Sequence, residues 1–230
     1  MTAPLPESAV RATIEVALVA AAYIGWAHFS VASVDLSPVL PDFLTDRETQ
    51  VGAVFLVGAI AQLLFIALLA GFSPTMREAV RATIRRAPRP AWIIALVAAA
   101  VQCVTVAIFF LPQPINILEL SPRHAVLFPM PLADGWSQEV VFRGYILFRL
   151  SRAGVAVPLQ IALSALAFAI IHLGYIGSEG LGVFWPLVGT ATLGGILAWS
   201  AVEGRGSILP AVVAHLVILV VVQPWLALAA

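Results

Sequence analysis

Three groups of polar residues lie inside otherwise apolar stretches of the sequence. The first is Gln138-Glu139-Val140-Val141-Phe142-Arg143-Gly144, the second is Phe168-Ala169-Ile170-Ile171-His172, and the third is the stretch from Ser207 to His215. Glu139 and Arg143 are four residues apart, so on a helix they share one face and can form an ion pair. A carboxylate and two imidazoles are groups used in general acid–base catalysis, so together they could support hydrolysis.

Each group also has a structural interpretation when it is taken alone. An ion pair between Glu139 and Arg143 can simply lock a helix, although ionisable groups at membrane depth often mark functional sites. A single histidine near the end of an apolar helix, such as His172, more often bonds to a neighbouring helix than acts as a catalyst. His215 is the only polar side chain between Ser207 and Gln223, so it needs a partner or a wet cavity.

The composition predicts a protein that crosses a membrane several times. Of 230 residues, 61% are apolar and 10% are charged, whereas globular chains carry about 25% charged residues. The mean hydropathy is +1.02. Zero formal net charge argues against nucleic acid as a partner. The single cysteine, Cys103, excludes an internal disulfide framework and any site with several cysteine ligands.

Charge-free gaps mark six predicted membrane spans, each long enough for a hydrocarbon core of about 30 Å. They are Val16–Val34, Thr49–Met76, Pro90–Leu118, Ala153–Ser178, Gly180–Val202 and Gly206–Ala230. A seventh, Trp136–Leu150, contains Glu139 and Arg143 and should face protein or water. The sequence therefore predicts an all-α, polytopic fold with about seven transmembrane helices in one integral membrane domain, residues 1–230. The prolines of the connection Leu111–Gly135 forbid a regular helix throughout it, so we expect a partly re-entrant or surface-lying segment that leads into the charged helix.

Arginine placement predicts the orientation. The segment Gly71–Pro90 carries five arginines and should be cytoplasmic, whereas Asp35–Glu48 carries four acids and one arginine. With seven spans the N-terminus is then inside and the C-terminus outside. The first span is interpreted as retained rather than as a cleaved signal peptide, because its flank is not basic and its apolar run is long enough to cross.

Together the three groups resemble the CPBP family, which contains the type II CAAX prenyl endopeptidases and the bacterial Abi proteins. The family pattern is Glu-Glu-x3-Arg, Phe-x3-His and His-x3-Asn on a multi-helix intramembrane core. In this sequence the resemblance covers roughly Ser137–Leu219, within a core of residues 136–230 that follows N-terminal spans in residues 1–135. Phe142-Arg143-Gly144 supports the match to the first motif.

The resemblance implies peptide-bond hydrolysis inside or beside a membrane-anchored protein or peptide substrate. It implies that a glutamate and His172 activate water, while His215 stabilises the oxyanion. Glu139 would be the base or would orient it, and Gln138 would position water. Arg143 supports Glu139, and Phe142 and Phe168 complete the motifs. The same residues need no cofactor, and zinc is not required. A bacterial-type inner membrane is the expected location.

Two positions depart from the family pattern. Gln138 stands where the first glutamate is expected, and Leu219 stands where the asparagine is expected. An amide cannot deprotonate water, and loss of a general base typically costs about 10²–10⁴ in rate. Glu139 could serve as the base, Gln138 could be a Glu-to-Gln substitution that traps substrate, or the chain could be a natural pseudo-protease acting as a membrane chaperone or immunity factor.

Ion-coupled transport is a third possible class of function, but the spans contain few polar groups that could support it. One carboxylate, one arginine and two histidines give no evident proton relay. Hydrolysis remains the main prediction, with substrate binding alone as its alternative.

Overall fold

The computed structural model describes residues 9–32, 47–109, 122–175 and 184–229, and every regular element in these ranges is helical. The α-helices are α1 (Ala9–Ala32), α2 (Arg47–Phe72), α3 (Pro74–Ala82), α4 (Arg89–Phe109), α5 (Pro129–Glu139), α6 (Leu147–Arg152), α7 (Val157–Ile171), α8 (Phe184–Glu203) and α9 (Leu209–Ala229). A π-helix, Val140–Ile146, joins α5 to α6. Short 3₁₀ helices cover Pro122–Leu127 and His172–Tyr175. The predicted all-α class is confirmed.

In the described part of the chain, three helices are long and apolar enough to cross a membrane, over Ala9–Ala27, Thr49–Phe72 and Arg89–Val106. Three shorter apolar stretches, Val157–Ile171, Leu187–Glu203 and Leu209–Gln223, coincide with predicted spans. These helices support a membrane protein, whereas the count of seven spans stays a prediction. Many large apolar side chains on α1, α2 and α4 are exposed, as expected for surfaces that contact lipid.

The charged helix is longer than the predicted span Trp136–Leu150. It begins at Pro129, runs through the π-helix and ends at Arg152. The last part of the proline-rich connection, from Pro129, is therefore helical, which is compatible with the expectation that no regular helix runs throughout it. Pro129 and Pro131 lie in the first turn, where a missing backbone N–H breaks no intrahelical bond. Of the remainder of this connection, residues 111–121 lie outside the described residues, and Pro122–Leu127 forms a 3₁₀ helix.

The charged helix is buried by neighbours on several sides. Helix α5 packs against α2 and α9, and α3 packs against the π-helix. Two glycines permit these close approaches. A Cβ at Gly135 would lie 2.9 Å from Leu216 Cδ2 of α9, and a Cβ at Gly144 would lie 2.5 Å from Ala79 Cβ of α3. Glu139 and Arg143 are thereby fully buried, as the sequence predicted for a helix that avoids lipid.

One end of the bundle gathers most of the arginines, and we call it the arginine-rich end. Arg149 bonds to Glu15 at the start of α1, and Arg152 bonds to Glu78 of α3. Ser207 Oγ, before α9, donates to the carbonyl of Arg85 at 2.7 Å. The turns 72–89, 152–157 and 203–209 therefore lie at the same face as the start of α1. This agrees with the predicted grouping, while the assignment of that face to the cytoplasm stays a prediction.

Candidate active site

Glu139 is the centre of a buried charged cluster. Its Oε1 atom accepts from Arg143 Nη1 at 2.8 Å and lies 2.8 Å from His215 Nδ1. Glu139 and Arg143 are completely buried and His215 is 2% exposed. The predicted ion pair is confirmed, and the partner that His215 was expected to need is the same carboxylate. One oxygen thus joins helices α5 and α9.

Arg143 is held by more than its ion pair. Its Nη2 donates to the carbonyl of Gly194 in α8 at 3.2 Å, and its guanidinium carbon lies 4.2 Å from the centre of the Phe168 ring. A cation over an aromatic face is favourable, and more so where water is excluded. Arg143 therefore ties three helices around Glu139, which fixes the carboxylate in one position.

Phe168 connects the two histidines. Its ring centre lies 4.9 Å from that of His172 and 5.3 Å from that of His215, the latter in an edge-to-face arrangement. Phe142 packs on its other side, with ring centres 5.6 Å apart. His172 Nδ1 lies 2.8 Å from the Phe168 carbonyl oxygen, so this nitrogen donates. The structure thus brings His172 and His215 against one ring.

The imidazole bonded to Glu139 is that of His215. The sequence had paired this carboxylate with His172 and placed His215 opposite as an oxyanion donor. Because a carboxylate only accepts, His215 Nδ1 carries the hydrogen, and its Nε2 is an acceptor in the neutral ring. This is the arrangement by which a carboxylate orients a histidine that acts as a base.

Gln138 belongs to a second polar cluster that the sequence did not predict, centred on Asp134. The Asp134 carboxylate accepts from Gln62 through Oδ1 and from Gln223 Nε2 through Oδ2, the latter at 2.8 Å. Gln138 follows Asp134 by one helical turn, so the two side chains lie on the same face of α5. Asp134 is 5% exposed. Two amides therefore bind one buried carboxylate, and no cation pairs with it among the described residues.

Two hydroxyl groups complete this second cluster. Tyr23 OH lies 2.8 Å from Ser137 Oγ, and both hydroxyls contact Gln62 Oε1, Ser137 at 2.6 Å. Tyr23 comes from α1 and Gln62 from α2, so the cluster fixes α5 against both helices. The Tyr23 ring also packs edge-to-face on Phe142, with centres 5.7 Å apart. The cluster around Asp134 is thus connected to the cluster around Glu139 in two ways. Tyr23 packs on Phe142, and Gln138 is adjacent in sequence to Glu139.

Two buried oxygens on adjacent residues have no hydrogen-bond donor among the described residues, namely Gln138 Oε1 and Glu139 Oε2. Burying an unpaired acceptor is unfavourable. Both oxygens can therefore accept hydrogen bonds from a water molecule or a substrate N–H group.

The residues that sequence reasoning missed follow a helical repeat. Asp134 precedes Gln138 by one turn, and Gln223 follows Leu219 by one turn and His215 by two. A search for polar residues at this spacing would have identified Asp134 and Gln223. Leu219 is partly buried and offers no donor, so the departure at this position stands. Among the described residues, no three His, Cys, Asp or Glu side chains converge to hold a metal ion.

Residues 120–221 match the family model described as type II CAAX prenyl endopeptidase Rce1-like. The predicted resemblance to the CPBP family is confirmed. The match includes both clusters around Glu139 and Asp134, apart from the side chains of Tyr23, Gln62 and Gln223. No curated protein and no solved structure matches the chain. The match therefore relates residues 120–221 to a family of membrane endopeptidases.

Proposed function

We propose that this protein is an intramembrane endopeptidase of the CPBP type that hydrolyses a membrane-anchored protein or peptide. The observation that carries the proposal is the buried hydrogen bond between Glu139 Oε1 and His215 Nδ1, inside the region that matches the family. A carboxylate-oriented imidazole supplies a base that does not depend on residue 138. The site therefore still contains a base, although residue 138 is a glutamine.

In the proposed reaction, His215 Nε2 takes a proton from water as the water oxygen attacks the substrate carbonyl. Glu139 stabilises the imidazolium that forms. The same imidazolium then gives its proton to the nitrogen of the leaving amine as the C–N bond breaks. Gln138 Oε1 accepts a hydrogen bond from the attacking water, and Arg143 holds Glu139 in place. His172, across the Phe168 ring, is assigned to positioning water or substrate.

This proposal exchanges the roles that the resemblance implied for the two histidines. The reason is geometric, since Glu139 contacts His215 at hydrogen-bond distance and Nδ1 of His172 is committed to the Phe168 carbonyl oxygen. Glu139 keeps the role of base-orienter that the sequence allowed it. Leu219 supplies no oxyanion donor, so we expect slower turnover than in a site with one, by about 10²–10³.

The site lies near the middle of its helix. Glu139 is separated from Arg152, at the arginine-rich end, by about 20 Å along the helix axis. Substrate therefore has to enter the bilayer to be cleaved, which fits a membrane-anchored segment. We propose a bacterial-type inner membrane with the arginine-rich end in the cytoplasm.

The test is cleavage of co-expressed membrane-anchored candidate substrates by the wild-type chain, His215→Gln and Arg81→Gln. Glutamine at 215 can still donate to Glu139 but cannot take a proton, so cleavage should fall by about 10²–10⁴. Arg81→Gln changes an exposed residue at the arginine-rich end and should cleave normally. Cleavage by His215→Gln at the wild-type rate would remove His215 as the base.

The alternative is a pseudo-protease that binds membrane segments without cutting them, and Gln138 and Leu219 favour it. It predicts that substrate co-purifies with the chain and that this association survives when His172 and His215 are both replaced by alanine. Absence of cleavage by the wild-type chain, together with retained association, would establish this alternative. Loss of both cleavage and association in the double variant would support the protease.

A further inference from the structure

A cavity of about 340 Å³ opens at the arginine-rich end, between α3, α6, α7 and the end of α8. Its charged lining residues are Arg143, Arg152, Arg205 and Glu78. Leu147, Phe148, Val157 and Val202 provide apolar walls. The cavity therefore has a cationic rim and an apolar interior, and it lies at the ends of the helices that form it. The proposed reaction uses one of these lining residues, Arg143, to hold Glu139, and gives no role to Arg152 or Arg205 at the rim.

The charges of this cavity are unequally paired. Arg152 bonds to Glu78 and to Thr75 Oγ1, the latter at 2.9 Å, and Arg143 bonds to Glu139. Arg205 is exposed and makes no ion pair or side-chain hydrogen bond with the described residues. The guanidinium of Arg205 is therefore available to bind an anion at the rim.

The backbone holds Arg205 in an unusual conformation. Its φ is +50°, the one positive value at a non-glycine position in the described part of the chain. The turn is fixed from both sides, because a Cβ at Gly204 would lie 2.0 Å from the Ser207 carbonyl oxygen and Gly206 has a φ of +92°. Most side chains are disfavoured in this region, and such strain concentrates at binding sites.

A second arginine adds to the positive potential beside the turn. Arg85 Nη1 donates to the Gly206 carbonyl oxygen at 3.4 Å. Arg143, which also lines the cavity, has a buried Nε without an acceptor among the described residues. Donors are therefore in excess over acceptors in and around this cavity. An anion with several acceptor oxygens is the ligand that such a site lacks.

From these observations we propose that this cavity binds a phosphate group, held at its rim by Arg205. Arginine matches phosphate oxygens with a planar fork of N–H donors. Phosphate headgroups lie at the ends of membrane helices, and basic pockets between such helices bind them. The apolar walls would accept the glycerol and upper acyl chain of an anionic phospholipid. Free phosphate shares the same chemistry and is separated from the lipid by experiment.

The experiment measures lipid retention by native mass spectrometry and thermal unfolding of the purified full chain in detergent. The probes are phosphatidylglycerol, diacylglycerol and inorganic phosphate. We expect phosphatidylglycerol to be retained and to raise the unfolding temperature, while diacylglycerol, which lacks the phosphate, does neither. Arg205→Gln should reduce phosphatidylglycerol binding about tenfold, since a charge-assisted hydrogen bond is lost.

Two further variants separate this effect from folding and from general surface charge. Arg205→Asn removes the charge but accepts the left-handed backbone more readily, so it should fold and also lose binding. Arg81→Gln removes one exposed charge from the same end without touching the cavity and should bind normally. If Arg205→Gln and Arg81→Gln lose phosphatidylglycerol binding equally, the proposed site is refuted. It is also refuted if Arg205→Gln loses binding and Arg205→Asn does not.

The probes also identify the source of the phosphate. If inorganic phosphate displaces the lipid and stabilises the wild-type chain but not Arg205→Gln, the site binds the phosphate group itself. If only the lipid binds, the site is a headgroup site. Equal retention of phosphatidylglycerol and diacylglycerol, or binding unaffected by either Arg205 variant, would refute the proposal. None of these readouts depends on peptidase activity.

Discussion

Glu139 Oε1 lies 2.8 Å from His215 Nδ1, so a single hydrogen bond joins helices that begin at Pro129 and Leu209. The same oxygen accepts from Arg143 at 2.8 Å. A cation and an imidazole thus share one carboxylate oxygen, and the second oxygen stays available. This relationship underlies both the proposed chemistry and the stability of the bundle's centre.

The ion pair at the centre should show strong coupling. Replacing Glu139 by Gln leaves Arg143 as a buried, uncompensated cation, which should lower the free energy of unfolding by about 3–5 kcal/mol. Arg143→Met should cost a similar amount because it leaves the buried carboxylate without its cation, with only the His215 hydrogen bond. The double variant should cost clearly less than the sum of the two. Thermal unfolding in detergent measures all three, and strict additivity would contradict the buried pair.

An exchange of the carboxylate and the amide tests residue 138. Gln138→Glu alone places a second carboxylate against Asp134, so we expect it to destabilise the protein. Asp134→Asn combined with Gln138→Glu keeps one acid and one amide in the cluster and should restore stability. Because His215 is the proposed base, cleavage by this double variant should stay within about tenfold of wild type. A gain of about 10²–10⁴ would instead make position 138 the base.

The second polar cluster predicts two unequal losses of stability. Asp134→Ala removes the shared acceptor of Gln62 and Gln223 and leaves buried amides without a partner. This should cost about 3 kcal/mol. Tyr23→Phe removes one hydroxyl, while Ser137 still donates to Gln62, and should cost about 1 kcal/mol. Chemical unfolding compares the two variants, and a larger loss for Tyr23→Phe would contradict the assigned bonds.

The close contact between α3 and the π-helix predicts the effect of a single methyl group. Gly144→Ala would place its Cβ 2.5 Å from Ala79 Cβ, so we expect about 1–3 kcal/mol of destabilisation. Gly189→Ala in α8 is the matched control, since a Cβ there would meet nothing within 4 Å. It should be neutral or stabilise the helix by up to about 1 kcal/mol. Equal unfolding temperatures for the two variants would refute the close approach.

Much of the fold could be predicted from the sequence because the physical rules involved are local. Long charge-free stretches give apolar helices, and a spacing of four residues gives the pair of Glu139 with Arg143. The solitary position of His215 in an apolar helix correctly predicted that it needs a partner. The motifs around Glu139, His172 and His215 also carried the resemblance to the CPBP family that the family model confirms.

The charged helix begins at Pro129, seven residues before the predicted span Trp136–Leu150. This earlier start is possible because prolines in the first turn break no intrahelical hydrogen bond. Asp134 and Gln223 were not predicted as site residues, because neither lies in one of the three motifs. They form a cluster because α2, α5 and α9 meet where Asp134 bonds to Gln62 and Gln223.

The helices, the gathering of arginines near their ends and the residue types of the site follow from the sequence. Helix packing establishes that Glu139 binds His215 and that Asp134 meets Gln62 and Gln223. It also places Arg205 at the border of a cavity. The reason is that residues far apart in sequence meet by helix packing, which depends on shape and on which polar groups must be satisfied together. Periodicity along one helix contains no information about the neighbour it meets.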